Sequence, residues 1–396
     1  MRFLHCLLLV FILPTLAFAQ TVNITGKVTS TDIGGPLVKA SVFLTNSTFG
    51  TSTAANGSFT LYDVKPGQYE IVVTFVGYES YHQTILVGAK PINLNIEMHL
   101  KNNNLETVNI VRHPFSPENF KMFTKYFLGT SDNAKKCKIL NPTDIDLYYH
   151  PYEKSLVGRA DEFIIIENKS LGYRIKYLLG GFKFDDINQI ISYGGQYQFE
   201  DLKGSKKQVA AWKKKREDAF YGSSMHFYRS LLGNNLDSAG FVIYQLIRKP
   251  NTERPPQVVI VKNIDKFIAQ NNIDSANHWK ELYNLNRYHE TLIKQPLSAN
   301  DIFRKTDQPG VFGITFPDCL YVVYKRKFDN DGKSMVYRPL NMPNYASTII
   351  TLYQPYAFFD TNGVIVSNKA TLYEGAWSHD NIADLLPVDY APGDKK

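Results

Sequence analysis

Few residues in this chain stand at spacings that could do chemistry, and the histidines come first. His278-Trp279-Lys280-Glu281, with His379 further on, has the His-x-x-Glu plus distant His arrangement that could ligate a hydrolytic zinc ion. The neighbouring residues argue against that use. His278, Leu282, Leu285, His289 and Leu292 recur at alternating steps of four and three, which predicts one stripe of a helix over residues 276–292. On such a helix His278 and His289 stand roughly 16 Å apart, too far to share a metal. The expectation is buried or interfacial histidines, with no catalytic residue, no metal and no cofactor.

Nucleophile signatures are equally incomplete. Ser131-Asp132-Asn133 matches one element of a serine acyl-transfer site, but no Ser-x-x-Lys or Lys-Thr-Gly accompanies it. Gly222-Ser223-Ser224 lacks the closing glycine of a nucleophile elbow, and no glycine-rich phosphate loop is present. What remains is a cationic cluster. Lys206, Lys207, Lys213, Lys214 and Arg216 spread over a helix whose other face carries Val209, Trp212, Ala219 and Phe220. These five cations are the candidate contact with an anionic surface, against the plainer reading of a solvated face. Glu217 and Asp218 partly offset them at helical spacing.

The elements that must position these residues start with that helix. Residues 204–244 read as a basic helix turning at Gly222, a second apolar segment from Met225 to Leu232, a break at Gly233-Asn234-Asn235, and a strand. Strand-rich sequence on both sides predicts a helical layer packed on a sheet. At 396 residues the chain has room for two domains, and 13% aromatic content favours strands. The net charge of +7, which becomes +6 without Arg2, is too mild and dispersed for nucleic acid, and no nucleic-acid motif accompanies it. Residues 1–19 read as a secretory signal. Arg2 supplies the positive region, residues 7–13 the apolar core, and Ala17-Phe18-Ala19 the cleavage site before Gln20. The apolar run is too short to span a bilayer, and no later segment is long enough. Export makes a bridge between Cys137 and Cys319 chemically available, although separate buried thiols fit two such distant cysteines better.

From residue 21 to about 100 the pattern alternates with period two. Residues 22–29, 39–45, 50–54, 58–62, 68–76, 81–87 and 92–98 read as strands, with Asn56-Gly57 predicting a tight hairpin. This predicts a seven-stranded β-sandwich over residues 20–100. Gly26-x-Val28, Gly35-Pro36-Leu37, Ala40-Ser41-Val42, Asn56-Gly57-x-Phe59-x-Leu61 and Val64-x-x-Gly67-x-Tyr69-x-Ile71-x-Val73-x-Phe75-x-Gly77-Tyr78 resemble the carboxypeptidase-regulatory-like domain. The resemblance implies a transthyretin-like (prealbumin-like) sandwich of the kind found in the envelope of Bacteroidota. It implies no activity, because the module is an accessory to peptidases, TonB-dependent receptors and other proteins. Leu105-Glu106-Thr107-Val108-Asn109-Ile110 looks like the linker that follows the module in those receptors.

Residues 101–112 are read as a linker and residues 113–396 as an α+β domain. Its expected elements are a helix opened by Ser116-Pro117, strands at 161–167, 173–184 and 189–199, the central helices, and strands at 241–247 and 258–261. The helix at 276–292 follows, then strands at 320–328, 348–353 and 364–366. Residues 137–142, 166–173, 222–227 and 384–387 are similar to a second half that accompanies the sandwich in secreted Bacteroidota proteins. Asp237-Ser238-Ala239 and Asp274-Ser275-Ala276 fit the short O-glycosylation pattern of that group. A receptor barrel is excluded, since the part after the sandwich lacks repeated ten-residue amphipathic strands. A zinc carboxypeptidase is not expected: in that family the motif lies on a loop beside a sheet, and the sandwich follows the catalytic domain. The expected protein is exported across the inner membrane to the periplasm or outer membrane, where it binds or scaffolds an envelope protein or a glycan without catalysis. Its contact with the outer membrane would be peripheral. The alternative is a hydrolase of envelope polymers.

Overall fold

The computed structural model describes residues 21–101, 113–329, 336–367 and 369–393. Residues 1–19, read as a secretory signal, and most of the stretch read as a linker lie outside the described residues.

Residues 21–101 form two sheets packed face to face. One has the order Ser58–Val64, Val22–Ser30, Ile92–Met98; the other Gly50–Ser52, Ser41–Leu44, Gly67–Thr74, Tyr81–Val87. Alternation places Ile24, Val28, Phe59, Leu61 and Ile96 of the first sheet against Val42, Leu44, Ile71, Val73 and Ile85 of the second, in one buried core. Gly57 has the expected positive φ of 79°. The turn is not a hairpin, however. Gly50–Ser52 and Ser58–Val64 belong to different sheets, so Asn56-Gly57 carries the chain from one layer to the other.

Residues 113–201 build a second body. Ser116 caps the helix Pro117–Leu128 by accepting from Asn119 N, with Pro117 at its start. Phe123 and Phe127 on that helix bury against a six-stranded antiparallel sheet, where Phe123 meets Phe182 and Phe127 meets Tyr177 edge-on. The long hairpin Tyr173–Asp185 and Ile190–Asp201 dominates the sheet. The far edge of Tyr173–Asp185 pairs with Ile164–Asn168 near its start and with Ser155–Ala160 near its end.

The third body is a five-stranded antiparallel sheet, ordered Tyr288–Leu292, Phe241–Pro250, Cys319–Phe328, Tyr345–Leu352, Thr371–Gly375. Phe227, Tyr228 and Leu231 of helix Ser224–Leu232 cover its inner face together with Trp377. The helical layer on this sheet is therefore Ser224–Leu232. The preceding basic helix, Lys206–Phe220, buries only Trp212 and Phe220.

Three sequence expectations fail here. Residues 258–261 are not a strand but part of helix Gln257–Ala269, with Val258 and Val259 exposed and Ile260 buried. The β-branched run suggested a strand; the helix instead packs against Ile273–Asn284, with Ile260, Ile264 and Phe267 at helical spacing. The helix read over 276–292 stops at Asn284, where Leu285 turns extended (φ −63°, ψ 142°). Residues 288–292 then join the sheet, with Glu290 opposite Arg248 at 2.7 Å. His278 and His289 thus lie on a helix and a strand, not one stripe. Residues 364–366 form only a single bridge, Phe359 to Ile365. Cys137 and Cys319 are both free thiols; burial and the Asp384 charge push the Cys137 thiol up to about 12.

The bodies are joined at one seam. Val388 N donates to Asn46 O at 2.7 Å, Asn46 N to Tyr197 O at 2.6 Å, and Phe199 N to Ser47 O at 2.8 Å. Asp389 accepts from Thr48 N at 2.8 Å and Thr48 Oγ1 at 2.5 Å, and Val388 packs into the sandwich core. Arg229 crosses the seam, donating to Asn362 O at 2.8 Å, Tyr390 O at 2.8 Å and Val388 O at 2.7 Å.

Candidate functional site

Of the five cations singled out, Lys206, Lys207 and Lys214 are exposed, Lys213 is half-buried, and the neighbouring Lys215 is exposed with them. Arg216 leaves the cluster. Its guanidinium donates to Leu171 O at 2.7 Å, Gly172 O at 3.1 Å and Asp201 Oδ1 at 2.8 Å, and lies 3.7 Å over the Tyr173 ring. It holds the helix onto the sheet, as does Trp212 Nε1, which donates to Lys169 O at 3.0 Å. A capping box of Ser205 and Gln208 starts this helix. The lysines therefore project from a fixed platform.

His278, His289 and His379 do not converge. Among the described residues no group of three or more His, Cys, Asp or Glu side chains is placed to hold a metal. No helix among them is long and apolar enough to cross a membrane. His226, on the central helix, accepts from Gly222 N at 3.1 Å; burial, Arg326 and Arg229 push its pKa down to about 4, so it stays neutral.

Polar and aromatic side chains converge instead in a cleft beside the seam, which sequence reasoning missed. Two connected lobes of about 950 and 1050 Å³ share the wall at residues 192–195 and 364–366. Both stand near the upper end of the ~300–1,000 Å³ typical of ligand sites. The sandwich lends Asn46, Gln68 and Tyr69 to the smaller lobe. In the larger lobe one wall is Tyr177, Tyr193 and Tyr197 of the long hairpin, with Tyr177 stacked on Tyr197 at 5.2 Å. The facing wall is Tyr228, Tyr373 and Trp377, with the two tyrosine hydroxyls 3.0 Å apart.

Asp380, Asn381 and Asp384 complete that lobe. Tyr193 Oη donates to Asn381 Oδ1 at 3.4 Å, and Asn133 Nδ2 donates to Asp384 Oδ1 at 2.7 Å, while Asp384 Oδ2 is buried without a partner. Asp380 is exposed and lines the cleft. Desolvation and the neighbouring Asp384 charge push its pKa up to about 7, against the pull of Lys327. Burial also raises Asp384 and the Tyr193 and Tyr197 hydroxyls. The lining thus includes tyrosine hydroxyls and amides, which both donate and accept.

The hairpin also carries a bare strip. Gly181 and Gly194 are directly paired, and a Cβ built on either would have nothing within 4 Å. Both glycines line the cleft. The signal in sequence was the pair of doublets Gly180-Gly181 and Gly194-Gly195 inside two strands, where glycine marks a bulge or a close approach. The bulge is present between Leu179 and Gly181.

Residues 24–110 match the CarboxypepD_reg-like domain family, so the amino-terminal β-sandwich is a module of that family, continued by a mixed body of helices and antiparallel strands. No curated protein matches the chain. Among solved structures, a cohesin–X-dockerin complex mutant from Acetivibrio cellulolyticus shares 25% identity over 20% of this chain and 58% of its own, at a TM-score of 0.18. The pilus 2b backbone protein of group B streptococcus shares 19% over 20% of this chain and 41% of its own, at 0.18. A DUF3823 family protein from Bacteroides ovatus shares 10% over 46% of this chain and 82% of its own, at 0.17. The chain spans less than two thirds of the first two proteins' lengths, and at these TM-scores none of the three bears on function.

Proposed function

We propose that the protein is an exported, non-catalytic component of the bacterial cell envelope that binds an envelope constituent in the cleft beside its seam. The carrying observation is the cleft itself. A junction serving only to hold bodies together would pack tightly, whereas this one keeps two large lobes lined by tyrosines and by the unpaired Asp384 Oδ2. Residues 1–19, read as a secretory signal, and the CarboxypepD_reg-like sandwich, taken in its finer form as transthyretin-like, support an envelope location. The partner is an envelope protein or a glycan at the periplasm or outer membrane, and the lysines of helix Lys206–Phe220 add a peripheral contact with anionic envelope surface.

The test is fractionation of producing cells with intact-mass measurement, followed by thermal shift with an envelope extract. The protein should start at Gln20 in the envelope fraction. The extract should stabilise the wild type and not Gly194→Phe, whose side chain would fill the cleft. Cytosolic protein retaining residues 1–19, or equal stabilisation of both proteins, would overturn the reading.

A second reading, a hydrolase of envelope polymers, is favoured by Asp380 beside Asp384 in the same cleft: a carboxyl titrating near 7 suits a general acid. Release of soluble products from the extract by the wild type, lost in Asp380→Asn, would establish it. Absence of release leaves binding as the function.

A further inference from the structure

We infer that the cleft takes a neutral oligosaccharide, recognised by ring stacking and by hydroxyl groups meeting carboxyls and amides. The inference rests on the cleft being the binding site. The paired Gly181 and Gly194 leave a strip of backbone with no side chains above it, while Tyr193, one residue earlier in the strand, projects from the other face of the sheet and lines the larger lobe. A flat ring can approach the bare strip closely, and another ring of the same chain can pack its C–H face on Tyr193. Tyr373, half-buried, adds one further aromatic group to the larger lobe, with Tyr228 and Trp377 buried behind it.

The polar groups fit hydroxyls better than ions. The Asp380 carboxyl has no hydrogen-bond partner among the described residues, and Asp384 Oδ2 has none either. An anionic ligand would meet these two acids. Both carboxyls are shifted toward the protonated form, Asp380 by desolvation and the Asp384 charge, and Asp384 by burial. A protonated carboxyl donates and accepts, which suits a sugar hydroxyl. Asn381 and Gln189 add amides to the same lining. A lobe of about 1050 Å³ admits several linked rings. An extended peptide is the competing occupant, because Ile190–Asp201 is an edge strand of its sheet.

The experiment divides one envelope extract into untreated, periodate-oxidised and protease-digested portions, and reads the melting temperature of the full-length protein with each. Periodate cleaves vicinal diols and so destroys most glycans; protease spares them. The expected result is stabilisation by the untreated and protease-digested portions, lost on periodate treatment. Tyr193→Ala should need at least tenfold more extract for the same shift, and Gly194→Phe should not respond. If Gly194→Phe does not fold, Tyr193→Ala tests the cleft alone. Stabilisation that survives periodate but not protease would overturn the oligosaccharide and leave the binding reading standing. Undiminished response of both variants would place the ligand elsewhere and overturn the inference. No stabilisation by untreated extract would overturn both.

Discussion

Replacing Arg229 with methionine tests whether the seam is held as described. Methionine keeps the apolar stem and removes the guanidinium, which donates to Asn362 O, Tyr390 O and Val388 O at 2.7–2.8 Å. Hydrogen bonds from charged donors contribute roughly 1.5–3 kcal/mol each, so three give an upper bound of about 4.5–9 kcal/mol. Asn362 and Val388 line the cleft, so their carbonyls would regain some water, which lowers the figure. The Asp360 and Asp389 carboxylates, whose charges oppose that of Arg229, would lose a counter-charge. About 4 kcal/mol is the expected cost, in the range for removing one member of a buried charged set. With an unfolding entropy near 2.1 cal/mol/K per residue, the whole chain gives roughly 0.8 kcal/mol/K, and the transition should fall by about 5 °C. Scanning calorimetry on the full-length protein reads this directly. A midpoint within about 1 °C of wild type would refute the claim that Arg229 clamps the seam. A transition that splits in two would support it and show that the bodies melt separately once released.

Three further outcomes are expected. Gly57→Val should cost about 2 kcal/mol or more in urea unfolding, because φ is 79° and a Cβ would meet Val28 O at 2.6 Å and Pro36 Cβ at 2.8 Å; an unchanged midpoint would remove the strain argument. Asp380 has a folded pKa near 7 against 3.8 unfolded, so its protonated form favours folding at low pH and that contribution is lost as pH rises from about 4 through 7. Asp380→Asn should therefore melt higher than wild type at pH 8, with the gap narrowing by pH 5; a gap independent of pH would contradict the shift. Changing Lys206, Lys207, Lys213 and Lys214 to Gln should leave the melting temperature within about 1 °C. The same change should weaken co-sedimentation with anionic vesicles, which in the wild type should fade as the Debye length drops from about 10 Å at 0.1 M salt to about 3 Å at 1 M. Arg216→Gln should instead lower stability, since its contacts are internal.

Local signals in the sequence carried far where the physics is local. The Ser116-Pro117 helix start and the alternation of the sandwich strands both appear in the structure. Reading failed where a distant partner decides. Tyr288–Leu292 looks helical until Glu290 finds Arg248 across a strand pair. Val258 and Val259 favour a strand until the helix pair forms. Asn56-Gly57 has hairpin chemistry, but its flanking strands choose different sheets. The cleft was least legible, because its walls come from the sandwich, the long hairpin, the central helix and the stretch after residue 360. Only the two glycine doublets marked it locally.

The contact between Thr48 and Asp389 spans 341 residues. The amino-terminal module therefore leaves the ribosome, and on the export reading crosses the membrane, long before Val388 reaches its core. Until then the module holds an apolar vacancy, and the turn at residues 45–48 lacks its carboxylate. Closing so long a loop is entropically slow relative to the local pairing of strands. The cleft is consequently completed only after a contact spanning 341 residues has closed. A chain interrupted before residue 388 would carry the module without the residues that close its core and complete the cleft.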